Sequence, residues 1–206
     1  PDLGAIVALR PDLVVVDREE NRAEDAAALT DAGLAVHVLH VTGVSEVAPA
    51  LAGLAERLEV DPPPLATPAA ASVTLSAFVP IWRRPWMSVN GATYGSSLLA
   101  VAGIANVLAT ASERYPTVTL SGVADLRPDV VLAPSEPYPF RERHRAELEQ
   151  VGPVTFVDGR DLFWWGVRTP SAAERLAALG ATLTADMDGS GRPGGEKVAQ
   201  VAPHAG

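Results

Sequence analysis

The chain has 206 residues, 48% of them apolar and 20% charged, with a formal net charge of −9. It contains no Cys, which excludes a disulfide framework, Cys-ligated zinc, an iron–sulfur cluster, a thiol nucleophile and the Cys of a lipid anchor. The acidic balance argues against a nucleic-acid partner, which needs a concentrated basic face.

In chain order, residues 3–8 read as a short helix, followed by Leu9-Arg10-Pro11-Asp12-Leu13-Val14-Val15-Val16. An unbroken apolar run opened by Pro-Asp fits a parallel strand covered on both faces. Residues 23–32 have helical length and composition, and Gly33 stands where a helix C-terminus favours a left-handed residue. Residues 34–38 give a second strand. The Ala/Leu-rich stretch 44–58 is a helix. Residues 61–71 carry three successive prolines and read as a linker. A strand is expected at 73–79, a loop at 81–89, and a helix at 94–102 closed by Gly103.

The opening pattern then returns. Leu126-Arg127-Pro128-Asp129-Val130-Val131-Leu132-Ala133 repeats residues 9–16 at an offset of 117, and helix-like residues 120–125 match residues 3–8. A helix at 141–150, Gly152 as its C-cap and a strand at 154–157 complete the second copy. The expected class is therefore α/β, with two lobes each built on a parallel sheet flanked by helices. The boundaries are 1–60 for the first lobe, 61–72 for the linker, 73–184 for the second lobe and 185–206 for a disordered tail rich in Gly and Pro. The longest nearly apolar run, residues 98–109, is far short of the roughly 20 residues a membrane-spanning helix needs. Residues 1–3 form neither the basic nor the apolar part of a signal peptide.

Two groups of side chains stand out. Trp82 and Trp86 share one loop with Arg83 and Arg84, while Trp164 and Trp165 share another with Arg168. Trp with adjacent Arg supplies stacking planes and anion forks, so these residues are expected to form an aromatic, cationic wall for a large, partly anionic, planar ligand. Alternatively, one Trp per loop plugs the core and the arginines are solvated. The second group is acidic. Glu19 matches Glu136 across the repeat, with Glu20 and Glu24 nearby, which suits docking on a two-fold partner with basic pockets. Equally, these are surface glutamates near helix N-termini. His37 and His40 point to opposite faces of their strand and form no metal pair. His144 is expected on a helix surface. No phosphate-binding loop or nucleophile elbow is present.

Taken with the repeat, the segments Val79-Pro80-Ile81-Trp82-Arg83-Arg84-Pro85-Trp86-Met87, Gly91-Ala92-Thr93-Tyr94, Arg114-Tyr115-Pro116, Pro134-Ser135-Glu136-Pro137-Tyr138-Pro139-Phe140 and Asp158-Gly159-Arg160 through Arg168-Thr169-Pro170 carry a resemblance. Over residues 2–183 the chain resembles the class III periplasmic binding proteins of cobalamin, ferric-siderophore and haem ABC importers, in their cobalamin-binding branch. The resemblance implies a non-enzymatic, monomeric solute-binding protein with a cobalamin or ferric siderophore between its lobes and no intrinsic cofactor or bare metal ion. It implies that Glu136, with Glu19, Glu20 or Glu24, engages arginines of an ABC importer permease, and that Trp164 faces the cleft. The family has a further strand and helix ahead of the position of Pro1, and a long helix where residues 59–71 stand. The expected location is extracytoplasmic if an upstream signal precedes Pro1, and cytoplasmic if the chain is complete. A cytoplasmic relative with an enzymatic or cofactor-handling role, or a truncated non-binding remnant, is the alternative expectation.

Overall fold

A computed structural model describes residues 1–189. Helix α1 (Leu3–Leu9) is capped by Asp2, whose carboxylate accepts from the Ala5 N–H at 3.0 Å. It ends at Arg10 in the left-handed region (φ 50°), and the chain turns through Pro11-Asp12 into β1 (Val14–Asp17). Helix α2 (Ala23–Asp31) carries Glu24 and Asp25 in its first turn, where negative charge is favoured, and is closed by left-handed Gly33 (φ 85°). Strand β2 (Val36–Leu39) pairs parallel with β1, Val14 opposite Val36. Helix α3 (Val44–Arg57) follows, its start fixed by Glu46, which accepts from the Thr42 and Gly43 N–H groups.

An irregular segment covers residues 60–74, as the proline run requires. Then come β3 (Leu75–Phe78), β4 (Pro80–Trp82), β5 (Trp86–Ser88), α4 (Tyr94–Val101), β6 (Ile104–Asn106), β7 (Thr117–Val118), α5 (Leu120–Asp125) and β8 (Val130–Pro134). A 3-10 turn (Glu142–His144), α6 (Arg145–Leu148), β9 (Val154–Val157), α7 (Gly159–Phe163) and α8 (Thr169–Gly189) complete the described chain. The main sheet runs β6-β3-β8-β9, all parallel, and β4-β5-β7 form a small antiparallel sheet.

The two-lobe α/β architecture is as expected, and the repeat is one of geometry as well as sequence. Arg127 adopts φ 51°, the counterpart of Arg10. In the second copy the turn is stitched down: the Asp129 carboxylate accepts from the Ser76 N–H (2.9 Å) and hydroxyl (2.6 Å), fixing the start of β8 against β3. Alternation along buried strands divides the second lobe into two cores. Leu75, Ala77, Val130 and Leu132 face one cluster with α4 and α8, while Phe78, Val131 and Ala133 face the other with Phe140 and Leu148. The first lobe is thin by comparison. Its β1, β2 and α1 bury no residue fully, and α2 buries only Leu29.

Several local expectations are corrected. Residues 81–89 form a hairpin rather than a loop. Residues 141–150 split into a 3-10 turn and a single helical turn. Gly152 is not left-handed; a Cβ there would lie 3.3 Å from the Pro128 carbonyl, so the position serves close backbone approach. His144 is buried (4% exposed), its Nδ1 accepting from the Arg141 N–H at 3.0 Å, and burial with Arg143 and Arg83 lowers its pKa. Helix α8 continues through residues 185–189, where the tail was expected to begin; the rest of that tail lies outside the described residues. Helix α3, counted with the first lobe, packs Val44 and Val47 into the second lobe's core, and the Val44 N–H donates to Ser97 Oγ at 3.0 Å.

Candidate functional site

A cleft of about 990 Å³ lies between the lobes, at the carboxyl ends of parallel strands. From the first lobe, Val15, Val16, Leu39 and Val41 give an apolar floor, with Asp17, Glu19 and Glu20 above it. The second lobe supplies Tyr94, Tyr115, Phe163, Trp164 and Trp165, together with Glu136, two residues after the end of β8. Trp164 is 55% exposed, an unusual state for an indole in a loop. It ends α7, whose start is capped by the Asp158 carboxylate. Helix α7 lies so close to α4 that a Cβ on Gly95 would fall 2.9 Å from the Leu162 carbonyl. Glycine there lets the two helices bring Tyr94 and the Trp pair to one wall.

The wall is held from behind by charge. Asp161, 8% exposed, accepts from Arg168 (2.7 Å) and from Arg175 (2.6 and 2.7 Å). Arg175, opposed by burial and aided by Arg168, holds the Asp161 carboxyl below its ordinary range. The Arg168 guanidinium lies 6.0 Å from the Trp164 ring centroid. Next to it the Tyr94 hydroxyl and Thr169 Oγ1 are 2.9 Å apart, and burial pushes the phenol pKa up.

The sequence-derived ligand set divides. Trp164 and Trp165 line the cleft, whereas Trp82, Arg83, Arg84, Trp86 and Arg168 do not. The hairpin turns Trp82 edge-on to Tyr138 (centroids 5.6 Å apart) and stacks Trp86 on Phe140 (5.9 Å, 8° between planes). Arg83 donates to Glu147 at 2.8 Å, and Arg168 is drawn to Asp161. Of the expected wall, only the Trp164–Trp165 pair lines the cleft; Arg83 and Arg168 are held by structural carboxylates, and Arg84 lies outside the lining. Tyr94, Tyr115 and Phe163 were missed, since nothing local to those residues marks them. Their placement follows from strand and helix ends converging.

The acidic set divides as well. Both carboxylate oxygens of Glu19 are engaged from the opposite lobe, by Arg114 Nη1 and by the Tyr115 hydroxyl. Its loop is pinned by Asn21, which accepts from the Asp17 N–H, and by Asp17, which accepts from the Glu19 N–H. Burial, then the hydrogen bond to Glu19, drives the Tyr115 pKa upward. Glu20 and Glu24 are exposed, Glu24 in a loose 3.6 Å pair with Arg22. Glu136 sits inside the cleft with its Cγ on Gly159, where a Cβ would be 2.6 Å away. Its Oε1 is buried with no protein partner.

No family model and no curated protein matches the chain. Solved structures do. The periplasmic vitamin B12 binding protein BtuF of Vibrio cholerae superposes with a TM-score of 0.72 at 18% identity, over 88% of this chain and 78% of that one. The fold is that of the class III periplasmic binding proteins. A periplasmic heme-binding protein of Pseudomonas aeruginosa shares the binding-protein fold at TM-score 0.68 and 19% identity, over 89% and 76% of the two chains. CeuE of Helicobacter pylori, in a nickel–histidine complex, shares it at TM-score 0.72 and 13% identity, over 90% and 66%. At these identities the likeness is one of fold.

Proposed function

We propose that this chain is a non-catalytic solute-binding protein that holds a metal chelate, a cobalamin or a ferric siderophore, between its lobes and delivers it to an ABC importer permease. The observation that carries this reading is the interlobe cleft, about 990 Å³ in volume and walled by Trp164, Trp165, Phe163 and two tyrosines. A cleft of several hundred Å³ with a mainly apolar, aromatic lining and a few polar groups suits one large, flat-sided ligand. Fold-level relatives described as vitamin B12 and heme binding proteins support a chelate as cargo. Among the described residues no cluster of three or more His, Asp or Glu side chains is placed to ligate a bare ion, which supports a metal held within its own chelator as the cargo. Of the four glutamates assigned to permease docking, Glu19, Glu20 and Glu24 are exposed, all on the first lobe, and of these Glu19 is engaged by Arg114 and Tyr115. The working place of such a protein is outside the cytoplasmic membrane.

Native mass spectrometry after incubation with cyanocobalamin, haem, a ferric trihydroxamate and a ferric tris-catecholate tests this reading. One chelate retained per chain is the expected result, and retention of none would overturn it.

A further inference from the structure

The cleft's charge runs opposite to the cationic wall expected from sequence. Among the described residues that line it, Asp17, Glu19, Glu20 and Glu136 are carboxylates and none is Lys, Arg or His. Of the arginines beside the Trp pairs, Arg83 is committed to Glu147 and Arg168 to Asp161, and Arg84 lies outside the cleft lining. Glu19 is compensated by Arg114, and an Asp17 oxygen is occupied by the Glu19 N–H.

Glu136 differs from both. Its backbone position is fixed from two sides: the Ser135 N–H donates to the Val157 carbonyl at 3.0 Å, and the Gly159 N–H donates to Ser135 Oγ at 3.0 Å. Its side chain rests on Gly159, and its Oε1 is buried without a hydrogen-bond partner. The other oxygen, Oε2, is not buried and accepts no hydrogen bond within the protein, so the carboxylate keeps an open acceptor in the cleft lining for an incoming donor.

Resting on the chelate-binding reading above, we infer that Glu136 is a specificity-determining residue. Its carboxylate accepts a hydrogen bond from an amide or ammonium group on the rim of the chelate, and it excludes chelates with anionic rims. A corrinoid fringed with primary amides, or a ferric hydroxamate with a free ammonium, meets this requirement. Haem with its propionates and an anionic tris-catecholate do not, because they would bring like charge beside a half-buried carboxylate in a lining that holds no cation, and Arg160, which interacts with Glu136, is itself held by Asp158.

The test is a set of dissociation constants, measured by calorimetry, for cyanocobalamin, a cationic ferric trihydroxamate, haem and an anionic ferric tris-catecholate. Wild-type protein should bind at least one of the first two about 100-fold more tightly than either anionic chelate, the effect of one unfavourable charge contact in a partly desolvated site. Glu136→Gln keeps the shape and removes the charge, and should cut that ratio at least about tenfold. Glu24→Gln, exposed on the first lobe and outside the cleft lining, controls for net charge and should change it far less. Matched melting temperatures identify folded variants. An anionic chelate bound most tightly, or a ratio that Glu136→Gln leaves unchanged, overturns this inference and leaves chelate binding standing. Binding of no chelate overturns both.

Discussion

At the residue scale, much depends on Asp161. It is nearly buried, ties Arg168 and Arg175 together, and so backs the wall that carries Trp164. Removing one partner of a buried ion pair strands the other, but Arg175 is half exposed and its share is screened. Asp161→Asn should therefore lower unfolding free energy by about 2 kcal/mol in urea titrations at neutral pH. The pH dependence has a definite sign. The folded-state pKa of Asp161 lies below its unfolded value, so the stabilisation is complete above pH ~4 and is lost as pH falls through the lower, folded value. Wild-type and Asp161→Asn stabilities should accordingly converge below about pH 4; a gap that persists or widens there would contradict this role. Sequence marked Trp164 and Arg168 but not the carboxylate between them and α8. Asp161 looks like any helix-start Asp until the fold brings Arg175 back from α8.

Elements with strong local signals were legible in the sequence. The two Arg-Pro-Asp turns, β1, β8, α2, α3 and the proline linker fall where apolar runs, caps and proline place them. What was not legible is what distant pairing decides. Strands β4 and β5 have three residues each and no alternating pattern long enough to read, and β5 is fixed by pairing with β7, some thirty residues on. That hairpin decides the fate of the first Trp pair: Trp86 stacks on Phe140 instead of facing ligand. Trp86→Ala should therefore cost about 3 kcal/mol of stability and leave chelate affinity within about twofold, whereas a ligand contact would show the reverse. Helix α4 is the packing hub. Leu98, fully buried, belongs to the core cluster shared by α3, the main sheet and α8. Leu98→Ala should cost about 3 kcal/mol, read from the shift in denaturation midpoint at unchanged m-value.

For the whole molecule, the contrast between lobes matters most. The second lobe has two cores around a four-stranded sheet, while the first has a two-stranded sheet with Val15 and Val38 about half exposed. Amides of residues 14–17 should exchange with deuterium much faster than those of residues 130–133, since local protection follows buried apolar contact. The lobes are joined by α3 on α4 and by the Glu19 contact with Arg114 and Tyr115. Breaking the latter with Glu19→Ala should further speed exchange in residues 14–21 and leave residues 130–133 unchanged. The central claim is that the space between the lobes is where ligand sits, and Trp164 is its most direct reporter. Titration of intrinsic fluorescence with the chelate retained in the mass-spectrometric screen should give saturable quenching in wild-type protein. Trp164→Ala should lose most of that quenching and weaken binding at least about tenfold, roughly the worth of one aromatic stack. A chelate that binds Trp164→Ala with unchanged affinity would place the site elsewhere and contradict the account.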